Sequence, residues 1–331
     1  LFERVLRLDP PSRVRGNIER YLAAIEQREG RYTTTGDLYV EAGFGYDTNV
    51  NASPDDASFF SPLLGYGTLS AAATEQGDAF WYAEAGGSVN KPVRPGLSLF
   101  AEGTAEQRGN RGWSRFDTAS VDGQAGLRLR TGRETFRLAA VGQRYAVDGR
   151  LHRKLVGALG DWSHRFDRRT AVSTSLNYAE LEYPDQPLRD SRQYTVGIGA
   201  SRQLQTALSP VVYASAFRGR EDSEDDRRTG GKAVAERTFG GLRVGTQAAL
   251  RSDLSVQASF TGQYSDYDGL QVLFLTNRED RNYLLDTGLV WLPERNWSVR
   301  ANVSYTRNDS NIPVYEYERF LTRLGVRYDF F

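Results

Sequence analysis

Thr118-Ala119-Ser120-Val121-Asp122-Gly123-Gln124-Ala125-Gly126-Leu127-Arg128-Leu129 carries two patterns at once. Ala119, Val121, Gly123, Ala125, Leu127 and Leu129 occupy one parity; Thr118, Ser120, Asp122, Gln124, Gly126 and Arg128 occupy the other. Successive strand side chains point to opposite faces, so the stretch predicts a strand with one apolar face and one wet face. Leu38, Val40, Ala42, Phe44 and Tyr46 alternate in the same way with Asp37, Tyr39, Glu41, Gly43 and Gly45. So do Leu254–Tyr264 and Trp297–Tyr305. Extended along the chain, this reading gives about fourteen strands, near residues 36–46, 79–90, 97–108, 116–130, 135–147, 152–166, 170–183, 191–203, 211–220, 238–250, 254–267, 281–292, 297–307 and 317–330.

The connections between these strands fall into two alternating classes. Lys91–Gly96, Thr131–Arg133, Asp167–Arg169, Arg251–Asp253 and Pro293–Asn296 are tight, whereas Asp47–Asp78, Glu221–Arg237 and Asp268–Asp280 are long and polar. Soluble sandwiches and propellers give no reason for such parity. An outer-membrane barrel does, because short turns face the periplasm and longer loops face outside. Aromatic residues sit where headgroup girdles belong. Trp162, Trp291, Trp297, Tyr328 and Phe330 mark the expected periplasmic ends, and Trp81, Phe116, Tyr145, Tyr183, Tyr194, Tyr264, Tyr283 and Tyr305 the outer ends. The expected fold is all-β: a transmembrane antiparallel β-barrel of about fourteen strands with a short N-terminal periplasmic helix.

That helix is expected from Val14, Ile18, Leu22 and Ile25, one apolar face that follows Ser12 as N-cap and stops near Gly30. An even strand number puts both termini on the periplasmic side. The chain starts at Leu1 and has no methionine, as expected of a processed or trimmed fragment.

Composition narrows the chemistry. The 42 basic and 42 acidic residues cancel, so no strongly basic face points to nucleic acid. The absence of cysteine removes disulfides, zinc–thiolate sites and thiol catalysis together. Mean hydropathy is −0.55, and no apolar run approaches the roughly 18 residues of a spanning helix, so hydropathy alone would misread the chain as soluble. Only Lys91, Lys154 and Lys232 among the basic residues are lysine. Arg128, Arg130, Arg137 and Arg300, with Glu84, Glu102, Glu106, Asp122, Glu180, Glu182 and Asp286, are expected to line a lumen of mixed sign.

His152 and His164 are the only neutral-pH bases, and no serine or carboxylate motif accompanies either, so no catalytic residue, cofactor or metal ligand is assigned. Glu221-Asp222-Ser223-Glu224-Asp225-Asp226 offers oxygen ligands to calcium but lacks the spaced glycine of a calcium loop; a solvated charge run is the plainer reading. Two apolar loop segments stand out, Phe59-Phe60-Ser61-Pro62-Leu63-Leu64 and Leu270-Gln271-Val272-Leu273-Phe274-Leu275. They fit a lumen plug, a partner surface, or packing against each other across the mouth.

Leu1-Phe2-Glu3-Arg4-Val5-Leu6, Asp9-Pro10-Pro11 and Asn17–Leu22, followed by Gly45-Tyr46-Asp47-Thr48-Asn49-Val50-Asn51-Ala52-Ser53-Pro54, resemble the surface lipoprotein assembly modulators (the Slam family, type eleven secretion system). The motif likeness covers about residues 1–54, and the architectural likeness the whole chain. The resemblance implies that residues 1–34 end a periplasmic helical-repeat (tetratricopeptide-type) domain and linker, and that 35–331 form the barrel. It further implies an outer-membrane translocator for a substrate lipoprotein or secreted protein, inserted by the barrel assembly machinery among outer-membrane lipid and lipopolysaccharide. Asp47, Asn49, Asn51, Phe59, Phe60, Leu273 and Phe274 are then candidate outer-loop substrate contacts. Ala42, Gly43, Gly45, Leu324, Val326 and Tyr328 are candidates for a lateral seam. A passive or polysaccharide-exporting porin and a loop-based adhesin or receptor remain the alternatives.

Overall fold

The computed structural model describes residues 33–224 and 229–330. The expected N-terminal helix and the 1–34 domain boundary fall almost wholly outside the described residues. The strands are β1 (Thr35–Asp47), β2 (Ser58–Ser61), β3 (Gly65–Thr68), β4 (Asp78–Arg94), β5 (Leu97–Asn110), β6 (Thr118–Thr131), β7 (Glu134–Val147) and β8 (Arg150–Arg165). They continue as β9 (Thr170–Glu182), β10 (Ser191–Gln203), β11 (Val211–Ser223), β12 (Arg237–Arg251), β13 (Leu254–Gln271), β14 (Thr276–Glu294), β15 (Trp297–Ser310) and β16 (Tyr317–Asp329). One short helix, α1 (Thr229–Val234), lies between β11 and β12. Fourteen of the strands form one closed antiparallel ring, in which β1 pairs with both β4 and β16; β2 and β3 form a separate hairpin. Every expected strand matches one ring strand, within a few residues at each end.

The two parities decide which way the wall faces. Arg323 of β16 pairs with Glu106 of β5, although β1 and β4 stand between those strands in the ring, so the contact crosses the inner face. The opposite parity is apolar and open: Phe44, Val156, Ile198 and Leu242 are 64%, 66%, 64% and 64% exposed. So broad an uncovered apolar surface fits a chain surrounded by lipid rather than water. With no free edge, every wall strand finds main-chain partners on both sides, as a bilayer demands.

The two rims differ, with corrections to the sequence reading. At the rim bearing the ends of the barrel, most links are short, among them Pro95-Gly96, Gly132-Arg133, Ser252-Asp253 and Arg295-Asn296, but the link between β10 and β11 runs over seven residues, 204–210. In the 166–169 turn, Asp167 accepts the amides of Arg169 (2.6 Å) and Thr170 (2.7 Å), which hold its carboxyl below the usual carboxylate range. The opposite rim is not uniformly long. Asp148-Gly149 is a two-residue link with φ of +52° and +69°, the pattern of a primed hairpin turn, so loop length does not alternate strictly. Most of the expected Asp268–Asp280 loop is strand instead. Pairing resumes past a bulge at Leu270↔Asn277 and Gln271↔Thr276, leaving a four-residue turn over 272–275. Glu180 and Glu182 share the outward parity of Leu176 and do not line the lumen; Glu182 pairs there with Lys154.

Candidate functional site

The ring closes where its first strand meets its last. The β1–β16 ladder runs from Tyr39↔Asp329 to Asp47↔Leu321 and is the shortest of the fourteen, with nine register pairs. The longest, β13–β14, has fifteen. All six seam candidates lie in this ladder: Ala42↔Val326 are partners, Gly43 faces Gly325, Leu324 faces Phe44, Tyr328 faces Val40, and Gly45 faces Arg323. Ala42, Leu324, Val326 and Tyr328 share the lipid-facing parity, and Gly43 and Gly45 the inner one.

The glycines admit close packing. A Cβ on Gly43 would collide with the Leu324 carbonyl oxygen and lie 2.7 Å from the Tyr82 ring. One on Gly45 would meet the Thr322 carbonyl and the Phe80 ring, and one on Gly325 the Tyr82 hydroxyl. Rings from β4 therefore lie across the inner face of the seam, and the Tyr82 hydroxyl donates to Glu41 at 2.8 Å.

Three arginines on β16, spaced four apart on the inner parity, brace this short ladder. Arg319 donates through Nε (2.9 Å) to Asp47 of β1, and Arg108 of β5 donates to the same carboxylate (2.8 Å). Arg323 grips Glu106 of β5 with two hydrogen bonds (3.0 and 2.7 Å). The Arg327 guanidinium lies 3.5 Å from the ring centre of Tyr39 on β1. Asp47 is fully buried, so losing either arginine would leave a charge short of its partners in a dry place. Sequence reasoning missed this ladder. Its signal is Arg-x-x-x-Arg-x-x-x-Arg on the inward parity of the terminal strand.

Above the seam, the expected substrate contacts are built into the mouth. Asp47 and Asn49 are both fully buried and offer no group to a ligand in this arrangement. Asn49 donates to the carbonyls of Ser53 and Glu318 (both 2.8 Å), and Asn51 donates to that of Thr74 (2.7 Å). The β2–β3 hairpin then reaches the β13–β14 turn. Ser61 donates to the Leu273 carbonyl (2.5 Å), and the Phe59 and Phe274 rings stand 6.1 Å apart. The two apolar loop segments thus pack against each other, which leaves Phe60, Leu64 and Leu273 exposed.

The lumen is of mixed sign, as expected. Arg137 pairs with Asp161 (2.7 Å), Arg128 and Arg137 face the Phe100 ring, and Arg300 approaches Glu41 (3.7 Å). A cavity of about 580 Å³ is lined by Tyr39, Glu102, Asp122, Gln124, Arg137 and Gln143. His152 stands edge-on to Tyr145 and Tyr183, and His164 pairs with Glu134 beside Trp162. In the acidic run, Glu221 pairs with Arg237, Asp222 with Arg220 and Glu224 with Arg192, while Asp225 and Asp226 lie outside the described residues. Among the described residues, no group of three or more His, Asp or Glu is placed to hold a metal ion.

A closed polar-lined ring with a bare apolar exterior defines a transmembrane barrel of the outer-membrane protein type. The outer membrane channel DcaP of Acinetobacter baumannii shares this fold, with a TM-score of 0.52 at 12% identity over 90% of this chain and 97% of that one. An anion-selective porin from Comamonas acidovorans aligns at 10% identity over 90% and 99% of the two chains, with a TM-score of 0.42. A bacterial polysaccharide outer membrane secretin aligns at 10% identity over 88% and 98%, with a TM-score of 0.38. No curated protein matches the sequence. Residues 37–327 match the surface lipoprotein assembly modifier family, and the chain belongs to that family.

Proposed function

We propose that this barrel sits in the bacterial outer membrane and moves lipoproteins or secreted proteins to the cell surface, opening between β1 and β16. The short turns and the N-terminus face the periplasm, where residues 1–34 end a helical-repeat domain that delivers substrate. Barrel assembly machinery inserts the chain, and outer-membrane lipid with lipopolysaccharide surrounds it. The observation that carries this reading is the contrast at the seam. Its main-chain ladder is the shortest in the ring, and the bracing is supplied by side chains that can let go and rebind. The exposed apolar rim at Phe60 and Leu273 is the first surface an emerging substrate meets. Deletion followed by surface proteomics tests it. Loss of particular lipoproteins or secreted proteins from the surface, with their periplasmic retention, is expected. An unchanged surface proteome together with steady conductance of the purified barrel in planar bilayers contradicts it.

A further inference from the structure

On the outer wall, away from the seam, Arg218 of β11 points to the lipid side between Val196 of β10 and Gly240 of β12. It has no ion pair or hydrogen bond among the described residues. Two residues on, Arg220 is neutralised by Asp222 (2.7 Å), Glu236 (2.8 Å) and Asp268 (2.6 Å). A cation on the lipid face is costly unless it lies near the headgroups or meets an anion. Arg218 sits at girdle level. The Tyr178 and Tyr194 rings, 5.2 Å apart, lie to one side, and Tyr264 shares its register row through Gly240.

Arg218 also stands between two grooves in the outer wall. One, of about 740 Å³, is lined by Ala158, Gly160, Leu176, Tyr194 and Val196 and reaches Arg218. The other, of about 550 Å³, is lined by Thr238, Gly240, Tyr264 and Asp266 and reaches Arg218 from the opposite side. We propose that Arg218 binds the phosphate of a phosphorylated, acylated lipid of the outer leaflet, whose chains lie along the larger, apolar groove while the smaller, polar groove receives the head. The assignment rests on the orientation proposed above, with this rim outward. Charge complementarity selects an anionic head, and the apolar wall of the larger groove selects an acylated one; the smaller groove, with Thr238, Tyr264 and Asp266, is polar and fits the head rather than a chain. A guanidinium meeting a phosphate forms paired charge-assisted hydrogen bonds.

The test uses the full chain in detergent, probed with lipid A, dephosphorylated lipid A and inorganic phosphate, with retention read by native mass spectrometry. Wild type retains lipid A over its dephosphorylated form, and Arg218→Gln lowers that retention about tenfold. Gly240→Ile fills one groove, keeps the charge and also weakens retention, and the heat-dependent gel shift confirms that both variants are folded. Equal retention by Arg218→Gln and wild type overturns the site, as does retention indifferent to the phosphate. Competition by inorganic phosphate as strong as that by lipid A overturns the lipid assignment. Surface display is scored separately, so lipid binding and export can fail independently.

Discussion

The β1–β16 seam and the β13–β14 hairpin lie in the same wall and are held by different means. The hairpin is covalently closed, carries fifteen register pairs and continues past a bulge. The seam joins the two ends of the barrel sequence with nine pairs and depends on carboxylate–arginine bridges and rings laid over glycines. Main-chain ladders open only by losing many bonds together, whereas a few side chains can release one joint while the rest of the ring stays paired.

The contrast should be most visible at Asp47. Asp47→Ala leaves Arg108 and Arg319 facing each other without their shared carboxylate, and a loss of about 3–5 kcal/mol is expected in denaturant unfolding of the reconstituted barrel. Asp266→Ala, on the lipid-facing parity of β13, should change stability far less. Next in size is Gly325→Val, which drives a side chain into the Tyr82 hydroxyl. We expect a cost of about 1–3 kcal/mol, and amide exchange quickened at Ala42–Phe44 but not at Ala258–Phe260. Arg323→Ala should quicken exchange at the same seam amides with a smaller stability loss, since Arg319 and Arg327 remain. Gly149→Ala, at a φ of +69° in the Asp148-Gly149 turn, should cost about 1 kcal/mol and leave seam exchange untouched.

The smallest effect concerns pH at the mouth. Burial, with the Asp55 and Glu318 carboxylates nearby, raises the Glu75 carboxyl above its ordinary value. The folded loop therefore binds this proton more tightly than the unfolded chain does. Its stability falls as pH rises from the unfolded value through the raised folded one. Glu75→Gln should remove that slope from protease protection of the 48–77 loop.

Strand positions and facing were legible because lipid on one side and water on the other impose a strict period of two, as in Thr118–Leu129. What the period does not contain is register. Arg319, Arg323 and Arg327 could be read as inward-facing, but their partners Asp47 and Glu106 depend on how the ring closes between its first and last strands and on which strands then meet across the inner face. Glu180 and Glu182 were misplaced because charge was read as a sign of the lumen, although the parity of Leu176 already put them outside. The Asp268–Asp280 segment read as loop because its charged flanks and the unbroken apolar run Val272–Leu275 both interrupt the period of two. Beyond the hydrocarbon band, however, a hairpin needs only main-chain pairing and a turn, here closed with Leu275 at a φ of +53°. Asp47 and Asn49 looked like loop contacts because polar residues past a strand end are usually solvated; here the mouth folds over them.

Locking the seam tests the central claim most directly. Cysteines at the register partners Ala42 and Val326, in a chain with none of its own, create a bond across the β1–β16 joint; a matched pair at Ala258 and Thr287 locks β13 to β14. The account predicts that oxidation of the seam pair abolishes surface display of the substrate, that reductant restores it, and that the control pair has no effect. Undiminished display from a fully oxidised seam would contradict it.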